Sequence, residues 1–516
     1  MHRTPPTHLL DYLEQGAALT HPDKVAFRDG DFAPTFRQVR DAALRIGSAL
    51  ATLAGRTRRP VVVFLPKSAA TLVADLGVLY GGHIYVNLDM QSPPARLLAL
   101  LHSLEPAAVV TLAAHQAAWT ALNPPAIPVL TADAALADAA PPPDDPRLRD
   151  LRRNALDTDP ACIINTSGST GVPKSAVITH RGLIDFMEWH QQAYPLRPDD
   201  VVGSLSPYHF DGYLVGFLSS LWIGCEVNVI PSSLAMFPVR LVEHLRDHGV
   251  TFIFWVPTVM VNIANTGALA TTPLPALRHV GFAGEVFPTR HLNEWRRLLP
   301  HAAFVNYYGP IEISVICTHY EVKRPFRDDE PLPIGFACAN TGLLLLDEHD
   351  RPCPPGERGE LCVLGPGVSP GYWRNPEATA RAFVQNPLHA DYPEILYRTG
   401  DLAHLNEHGE LMFDGRKDFQ IKHQGFRIEL GEIENACLAV PGIRNACVLY
   451  QRDRKEITLF YEADTPVSPA ALRAALGVNL PKYMWPTVLR HLPEMPRNPN
   501  GKIDRKALGD LLAAPA

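Results

Sequence analysis

Short apolar runs alternate with segments of helical periodicity through roughly the first 300 residues of the chain. The first two runs, VVVFLP and GGHIYVNLD, lie between Pro60 and Asp89, with an Ala/Leu-rich helix predicted between them over Ser68–Leu79. Further runs occur at Ala107–Thr111, Ala161–Asn165, Glu226–Ile230, Phe252–Trp255, His279–Ala283 and Ala303–Asn306. Buried strands separated by helices are typical of parallel sheets covered by helices on their faces. The pattern therefore predicts layered α/β subdomains.

The pattern changes after about Asn340. Short alternating strands such as GLLLLD, GELCVLG and GELMFDG are joined by turns rich in Gly, Pro and Asp, which predicts an antiparallel, β-rich subdomain. After Gly415 about 100 residues remain. They contain predicted helices and strands of their own, enough for a small α+β domain, at Gly431–Val440, Ala446–Tyr450, Glu456–Glu462 and Pro469–Leu476.

Composition and charge exclude several classes of protein. The 516 residues are 46% apolar and 20% charged, which excludes a disordered chain, and the net charge of −7 argues against nucleic-acid or membrane-surface binding. No apolar stretch reaches the ~18 residues of a membrane span, and the N-terminus lacks the apolar core of a signal peptide. The eight cysteines form no CxxC pair. We expect a cytoplasmic enzyme with free thiols.

A Ser/Thr/Gly-rich segment follows one of the predicted strands. Residues Ile163–His180 read IINTSGSTGVPKSAVITH, so that small residues precede Lys174. Small residues let backbone N–H groups approach phosphate oxygens, and a lysine adds positive charge. The segment is not a P-loop, because Pro173 occupies the position of the second glycine in G-x-x-x-x-G-K-[ST]. A nucleotide-binding loop of another type is favoured over a flexible linker.

TSGSTGVPK resembles the signature of the adenylate-forming superfamily, which includes acyl-CoA synthetases, firefly luciferase and nonribosomal peptide synthetase adenylation domains. Further motifs of that family follow in the same order, and GGHIYVNLD resembles its GxAYVPLD segment. The later motifs are NYYGPIE at Asn306–Glu312, YRTGDL at Tyr397–Leu402, GRKDFQIKHQGFRIELGEIE at Gly415–Glu434 and NGKIDR at Asn500–Arg505. The resemblance implies an adenylation core over residues 1–415, a hinge at 416–418 and a small, mobile C-terminal lid domain over 419–516.

The resemblance also implies how the chain binds ATP and Mg²⁺. Tyr308 would stack on adenine, Asp401 would accept hydrogen bonds from the ribose hydroxyls, and Glu312 would help to hold Mg²⁺, a hard cation that prefers carboxylates. One departure is Ile311, which replaces the threonine that normally contacts the α-phosphate, so that slower adenylation is expected. The implied ATP-binding residues are Thr166, Ser167, Gly168, Ser169, Thr170, Gly171, Lys174, Gly284, Asn306, Tyr307, Tyr308, Gly309, Asp401 and Arg416.

Three residues are implied to be catalytic. Lys502 would bridge the substrate carboxylate and the α-phosphate, Glu312 would hold the metal, and Asp418 would be the hinge about which the lid domain rotates between two half-reactions. In the first, a carboxylate attacks ATP and pyrophosphate leaves. In the second, a thiol attacks the acyl-adenylate.

The segment SPYHFDGY at Ser206–Tyr213 resembles that of amino-acid-activating members, in which an aspartate, here Asp211, pairs with the substrate amine. A buried carboxylate without its partner costs ~3–5 kcal/mol, so a plain fatty acid should be rejected about 10²–10³-fold. Tyr213 departs from the small hydroxyl residue usual at its position. The implied pocket is Asp211, Gly212, Val215, Phe254, Gly281, Ala283, Tyr307, Val315 and Ile316, with Lys502 for the carboxylate.

This lining predicts a small, uncharged substrate such as alanine or glycine, because Asp211 is its one charged side chain besides Lys502. The glycines leave some room, so that a longer apolar or β-amino acid stays open. GFAGEVFP at Gly281–Pro288 is similar to D-alanine–carrier protein ligases.

The expected acceptor is a phosphopantetheine thiol on a carrier protein in trans, because no carrier domain follows Arg505. Coenzyme A is the other acceptor, and an MbtH-like helper protein would be a second partner. The alternatives are an acyl- or aryl-CoA synthetase, a β-amino acid adenylating enzyme, and a non-catalytic adenylate-binding scaffold, which Ile311 alone favours.

Overall fold

The computed structural model describes residues 5–55, 57–137, 141–167, 173–497 and 503–513. The chain divides into two compact units. The first comprises residues 1–90, 104–165 and 175–417, and the second comprises 91–103, 166–174 and 418–516. The last change of unit falls between Lys417 and Asp418, inside the segment expected to be a hinge. The hinge motion itself stays a prediction.

The first unit contains an eight-stranded sheet, and its neighbours are parallel except at one edge. In spatial order its strands are Phe27–Arg28, Glu226–Val229, Val201–Ser204, Phe252–Trp255, His279–Ala283, Ala303–Tyr308, Thr318–Glu321 and Phe336–Ala337. The last two pair antiparallel. Four of the predicted runs lie in this sheet, inside its two edge strands, as expected for strands covered on both faces: Glu226–Ile230, Phe252–Trp255, His279–Ala283 and Ala303–Asn306.

Two further sheets belong largely to the first unit. A six-stranded sheet has the order Val129–Thr131, Ala108–Thr111, Pro60–Val63, Ile84–Asn87, Pro160–Thr166 and Lys174–Thr179. A five-stranded sheet is antiparallel, as predicted for the β-rich subdomain, and consists of Gly342–Leu346, Gly359–Leu364, Ile395–Leu405, Phe383–Gln385 and Leu411–Arg416. The predicted α/β fold class is confirmed.

The helix Ala69–Tyr80 shows how the sequence sets local structure. It begins where the Ser68 hydroxyl accepts a hydrogen bond from the Thr71 N–H at 3.3 Å, and every residue of it is buried. The other helices of the first unit are Leu9–Tyr12, Leu13–Ala17 (a π-helix), Ala18–Thr20, Phe36–Leu53, Ala113–Ala121, Asp133–Ala137, Pro146–Arg153, His180–Ala193, Leu214–Ile223, Pro238–Asp247, Pro257–Thr266, Ala268–Thr271, Thr289–Leu298 and Pro376–Ala382, with 3₁₀ turns at Asp211–Tyr213, Ser232–Met236 and Ile311–Ile313.

The second unit has its own apolar core, which includes Ile433, Val448 and Leu459. Its strands are the hairpin Gln420–His423 and Phe426–Glu429 and a three-stranded sheet of Ile443–Gln451, Glu456–Ala463 and Val488–Leu492. Its helices are Pro94–Leu104 (all but the last residue), Leu430–Leu438, Pro469–Leu476 and Arg505–Ala513, with a 3₁₀ turn at Lys482–Met484. Within the described ranges, no helix of either unit is both long and apolar enough to cross a membrane.

Candidate functional site

Three of the expected nucleotide-binding side chains meet in the first unit. The Tyr308 hydroxyl donates a hydrogen bond to Asp401 Oδ2 at 2.5 Å, and Arg416 Nη1 lies 2.8 Å from Asp401 Oδ1. Asp401 and Arg416 are brought together because they are paired residues of two antiparallel strands. Burial, and then the Asp401 charge, raise the pKa of Tyr308 well above its usual value. Tyr308 is therefore a neutral ring held in place by its own hydroxyl.

The Asp401 carboxylate is fixed by its backbone as well. Its N–H donates to Thr399 Oγ1 at 3.0 Å, and that hydroxyl donates to the Leu361 carbonyl at 2.7 Å. Arg416 Nη1 also donates to the Thr399 carbonyl at 2.9 Å. A carboxylate offers about four acceptor positions, so that Asp401 can accept ribose hydroxyls in addition to its two protein donors.

Glu312 is fully buried in the 3₁₀ turn that follows the strand Ala303–Tyr308. The Tyr372 hydroxyl donates to Glu312 Oε1 at 2.8 Å, and the Ser369 N–H donates to the Glu312 carbonyl at 2.8 Å. A buried carboxylate held by a neutral hydroxyl suits a hard cation such as Mg²⁺. In the described part of the chain no group of three or more His, Cys, Asp or Glu side chains could hold a metal. The role of Glu312 in holding Mg²⁺ stays a prediction.

The described ends of the segment expected to bind phosphate, Thr166–Lys174, lie in the second unit. Thr166 ends the strand Pro160–Thr166 and Lys174 begins the strand Lys174–Thr179. Ser167 Oγ donates to the Arg427 carbonyl at 2.7 Å, and Lys174 Nζ lies 3.8 Å from Glu429 Oε1. The predicted loop residues Gly168, Ser169, Thr170 and Gly171, and the predicted catalytic Lys502, lie outside the described residues.

The expected substrate pocket contains two aromatic rings in contact with its glycine positions. A Cβ on Gly281 would lie 2.9 Å from Tyr307 Cε2 and 3.1 Å from Phe254 Cδ2, and a Cβ on Gly212 would lie 3.5 Å from Phe254 Cε1. The Phe254 and Tyr307 ring centroids are 5.5 Å apart. The Tyr307 and Phe254 rings therefore occupy the space beside Gly281, whereas at Gly212 the nearest atom is Ser206 Oγ at 3.1 Å and Phe254 is in ordinary contact.

Tyr307 contacts three further side chains, His279, His190 and Tyr194, that the sequence did not identify as part of the site. Its hydroxyl lies 3.2 Å from His279 Nε2, and its ring lies near those of Tyr194 and His190. Burial lowers the pKa of His279 to about 3 and that of His190 to about 4, so that both imidazoles are neutral at pH 7. This end of the expected pocket is thus aromatic and uncharged.

A strained loop carries two further pocket positions. Ser314 and Val315 have φ of 58° and 85°, a backbone region that is unfavourable for a β-branched residue such as Val315. A Cβ on Gly309 would lie 2.4 Å from the Val315 carbonyl oxygen, so that this close approach requires glycine. Val315 and the neighbouring Ile316 are both buried.

The structure gives the local setting of the remaining predicted residues. Asp211 and Gly212, both half-buried, form a 3₁₀ turn with Tyr213, and this turn leads into the helix of Val215. The side-chain amide of Asn306 donates to the Pro333 carbonyl at 2.8 Å, and the role of this residue in ATP binding stays a prediction. Ala283 is the last residue of the strand His279–Ala283 and Gly284 follows it, and Ile311, in place of threonine, is buried.

Comparisons with known proteins identify the class. A family model described as AMP-binding enzyme matches residues 14–373. The chain is 33% identical to the L-proline–[L-prolyl-carrier protein] ligase of Streptomyces coelicolor, over 96% of this chain and 95% of that protein. It is 32% identical to tyrocidine synthase 3 of Brevibacillus parabrevis over 94% of this chain but 7% of that protein. The crystal structure of IdnL1 superposes with a TM-score of 0.79 at 29% identity, covering 96% of this chain and 98% of that one.

The chain belongs to the AMP-binding enzyme family, and the resemblance to adenylate-forming enzymes is confirmed. It is an AMP-forming ligase that uses ATP.

Proposed function

We propose that the enzyme activates a small, uncharged amino acid, similar in size to alanine or glycine, and transfers it to the phosphopantetheine thiol of a separate carrier protein. The observation that carries the substrate proposal is the Phe254 ring, which lies between the Gly212 and Gly281 positions of the pocket. A larger side chain would need the space of that ring. Asp211 supplies the carboxylate for the substrate ammonium.

In the first half-reaction, a substrate carboxylate oxygen attacks the α-phosphorus of ATP, and the bond to pyrophosphate breaks. Tyr308 offers a face for the adenine, Asp401 binds the ribose, and Lys174 supplies positive charge beside the phosphates. Mg²⁺, held by Glu312 and phosphate oxygens, would neutralise phosphate charge when bound. Lys502 would join the two reacting anions and offset their repulsion, the kind of preorganised charge that contributes most to such reactions.

In the second half-reaction, the carrier thiolate attacks the acyl-adenylate carbonyl and AMP leaves. Carrier-protein transfer is supported by the proline–carrier protein ligase, which is similar over nearly its full length. That similarity also makes L-proline a specific second candidate, since proline is compact and uncharged. Mass spectrometry of the intact carrier protein, with coenzyme A as a parallel acceptor, distinguishes the two thiols.

Phe254→Ala is expected to open the pocket. Leucine should gain at least about tenfold in kcat/KM relative to alanine, because each methylene accommodated in an apolar pocket is worth about 10–200-fold. The measurement is ATP–pyrophosphate exchange with both amino acids. Phe237→Ala, at a ring that is 53% exposed, is the matched control and should leave the preference unchanged. An unchanged leucine-to-alanine ratio in Phe254→Ala would show that this ring does not limit substrate size.

Asp418→Pro tests the hinge. Asp418 is exposed and lies between the strands Leu411–Arg416 and Gln420–His423, where proline would fix φ near −65°. Thioester formation should fall at least about tenfold, because the lid could no longer rotate, while pyrophosphate exchange stays within about threefold. Asp418→Ala removes the same carboxylate without restricting φ and should keep both activities. Equal loss in both half-reactions for Asp418→Pro would count against a hinge.

A further inference from the structure

A buried polar cluster lies next to the turn that carries Asp211. Asp75 accepts hydrogen bonds at Oδ2 from Asn87 Nδ2 at 3.1 Å and from the Tyr213 hydroxyl at 3.2 Å. The Tyr213 hydroxyl also lies 3.3 Å from that of Tyr85. Asp75 is fully buried, and Tyr85, Asn87 and Tyr213 are each less than 9% exposed. Polar groups this deep in a core are costly unless they are hydrogen-bonded, and a hydrogen-bonded cluster of this kind makes the surrounding core more rigid.

Two members of the cluster are departures from the family motifs. Asn87 stands at the proline of GxAYVPLD, and Tyr213 replaces a small hydroxyl residue two positions after Asp211. The two side chains lie 3.4 Å apart, from Asn87 Nδ2 to the Tyr213 oxygen. The two residues that differ from the family motifs are therefore neighbours, and both donate a hydrogen bond to Asp75. One local hydrogen-bonded arrangement explains both differences.

Tyr213 is held at its ring as well as at its hydroxyl. Its ring centroid lies 4.7 Å from that of Tyr208 and 5.9 Å from that of Phe217. Tyr213 is the last residue of the 3₁₀ turn that begins at Asp211. Fixing the ring and the hydroxyl of Tyr213 therefore fixes the backbone from which the Asp211 side chain extends.

We propose that Asp75 and Tyr213 are positioning residues for the substrate amine: their buried hydrogen bond holds the turn that presents Asp211 to the ammonium group. This inference rests on the proposed role of Asp211. It assigns Asp75 no contact with substrate. Its effect passes through Tyr213 to the turn.

The electrostatics of the cluster agree with this role. Burial raises the pKa of Asp75 to about 8, although its hydrogen bonds with Asn87 and Tyr213 oppose the shift. The titratable groups around Asp75 are the Cys162 thiol and the hydroxyls of Tyr85, Tyr208 and Tyr213, and burial raises the pKa of each of them. The charge of Asp211 raises the pKa of Cys162 further. Among the described residues, no hydrogen bond reaches Asp75 Oδ1. Asp75 is therefore a neutral acid at pH 7. Its ionisation would add an uncompensated negative charge next to Tyr213, the last residue of the turn Asp211–Tyr213.

Tyr213→Phe removes the hydroxyl and keeps the ring. It should raise the KM for the amino acid about tenfold, since small displacements of a positioning group carry penalties of this order. The KM for ATP and kcat should stay within about twofold. Tyr208→Phe, in the same segment and with no hydrogen bond to Asp75 among the described residues, is the matched control, and thermal unfolding shows that each variant folds.

Asp75→Asn keeps an acceptor for Tyr213 but cannot ionise. The amino-acid KM of Asp75→Asn should equal that of the wild type at pH 6.5 and fall below it at pH 9. The ratio of the wild-type KM to the Asp75→Asn KM is compared at each pH, because titration of the substrate amine affects both enzymes equally and cancels. Unfolding gives an independent check. The unfolded aspartate ionises near pH 4, so the wild type should lose stability relative to Asp75→Asn as pH rises from about 4 to 8.

Three outcomes would overturn the inference. One is an amino-acid KM within twofold of wild type in Tyr213→Phe, and another is an equal rise in both KM values, which would indicate general loosening. The third is a wild-type to Asp75→Asn ratio that stays constant from pH 6.5 to 9. Asp211→Asn is measured alongside. If it leaves the amino-acid KM unchanged, the proposed function fails and this inference fails with it. If the amino-acid KM rises in Asp211→Asn but not in Tyr213→Phe, only the inference is contradicted.

Discussion

Lys502→Ala is expected to lower the rate of aminoacyl-AMP formation about 10²–10³-fold, the usual cost of losing one preorganised charge at a reacting centre. The substrate carboxylate and the α-phosphate are both anions, and the lysine of the NGKIDR motif would be the cation that bridges them. ATP binding should be retained, because the adenine and ribose contacts proposed for Tyr308 and Asp401 do not involve this residue. Pyrophosphate exchange and nucleotide binding are the two measurements.

The matched control for this prediction is Lys506→Ala. Lys506 is an exposed residue on the helix Arg505–Ala513, four positions further along the chain, and its substitution makes the same change in net charge. It should keep adenylation within about twofold. If Lys502→Ala also adenylates within a few-fold of wild type, Lys502 is not the catalytic lysine.

Asp211→Asn is expected to lower kcat/KM for the amino acid about 10²-fold or more. Removing one partner of a buried ion pair costs ~3–5 kcal/mol, and the half-buried position of Asp211 favours the lower end of that range. The amide keeps the size of the side chain but cannot compensate the ammonium charge. The loss should fall on the amino-acid KM, measured by pyrophosphate exchange at saturating ATP.

A companion substrate sharpens this second prediction. Propionate is alanine without its amine, so the alanine-to-propionate preference should collapse in Asp211→Asn. Asp199→Asn, at an exposed position twelve residues earlier, is the control and should leave the preference intact. A preference for alanine that survives in Asp211→Asn would mean that another group binds the amine.

The sequence was sufficient to predict most of the central strands, because runs such as Phe252–Trp255 and His279–Ala283 are apolar throughout and are bounded by turns or helices. It did not predict the antiparallel edge strands Thr318–Glu321 and Phe336–Ala337. Those strands are short, partly exposed and not separated by a helix. Their pairing is a tertiary outcome that local periodicity does not record.

Site residues that belong to a sequence motif could be predicted. Contacts made by side chains that are distant in the sequence could not. Tyr308 and Asp401 were both expected, but their direct hydrogen bond joins residues 93 positions apart. The Tyr372 hydroxyl on Glu312 had no sequence signal, since tyrosine is also an ordinary core residue.

Two glycines also show that the sequence does not reveal which side chains pack beside a predicted gap. Gly281 and Gly212 predicted space for a substrate, because composition alone cannot say which neighbour enters the gap that a missing Cβ leaves. In the fold, Phe254 lies beside both positions. Tyr213, a mismatch when considered alone, becomes intelligible only beside Asp75 and Asn87.

The proposed activation of a small, uncharged amino acid is tested by ATP–pyrophosphate exchange across all proteinogenic amino acids, with β-alanine, fatty acids and aryl acids added. We expect the strongest exchange with an uncharged amino acid no larger than proline. Exchange with fatty or aryl acids should be at least about 10²-fold weaker, as expected when a buried carboxylate has no ammonium partner. Exchange with fatty or aryl acids and with no amino acid would contradict the proposed activation.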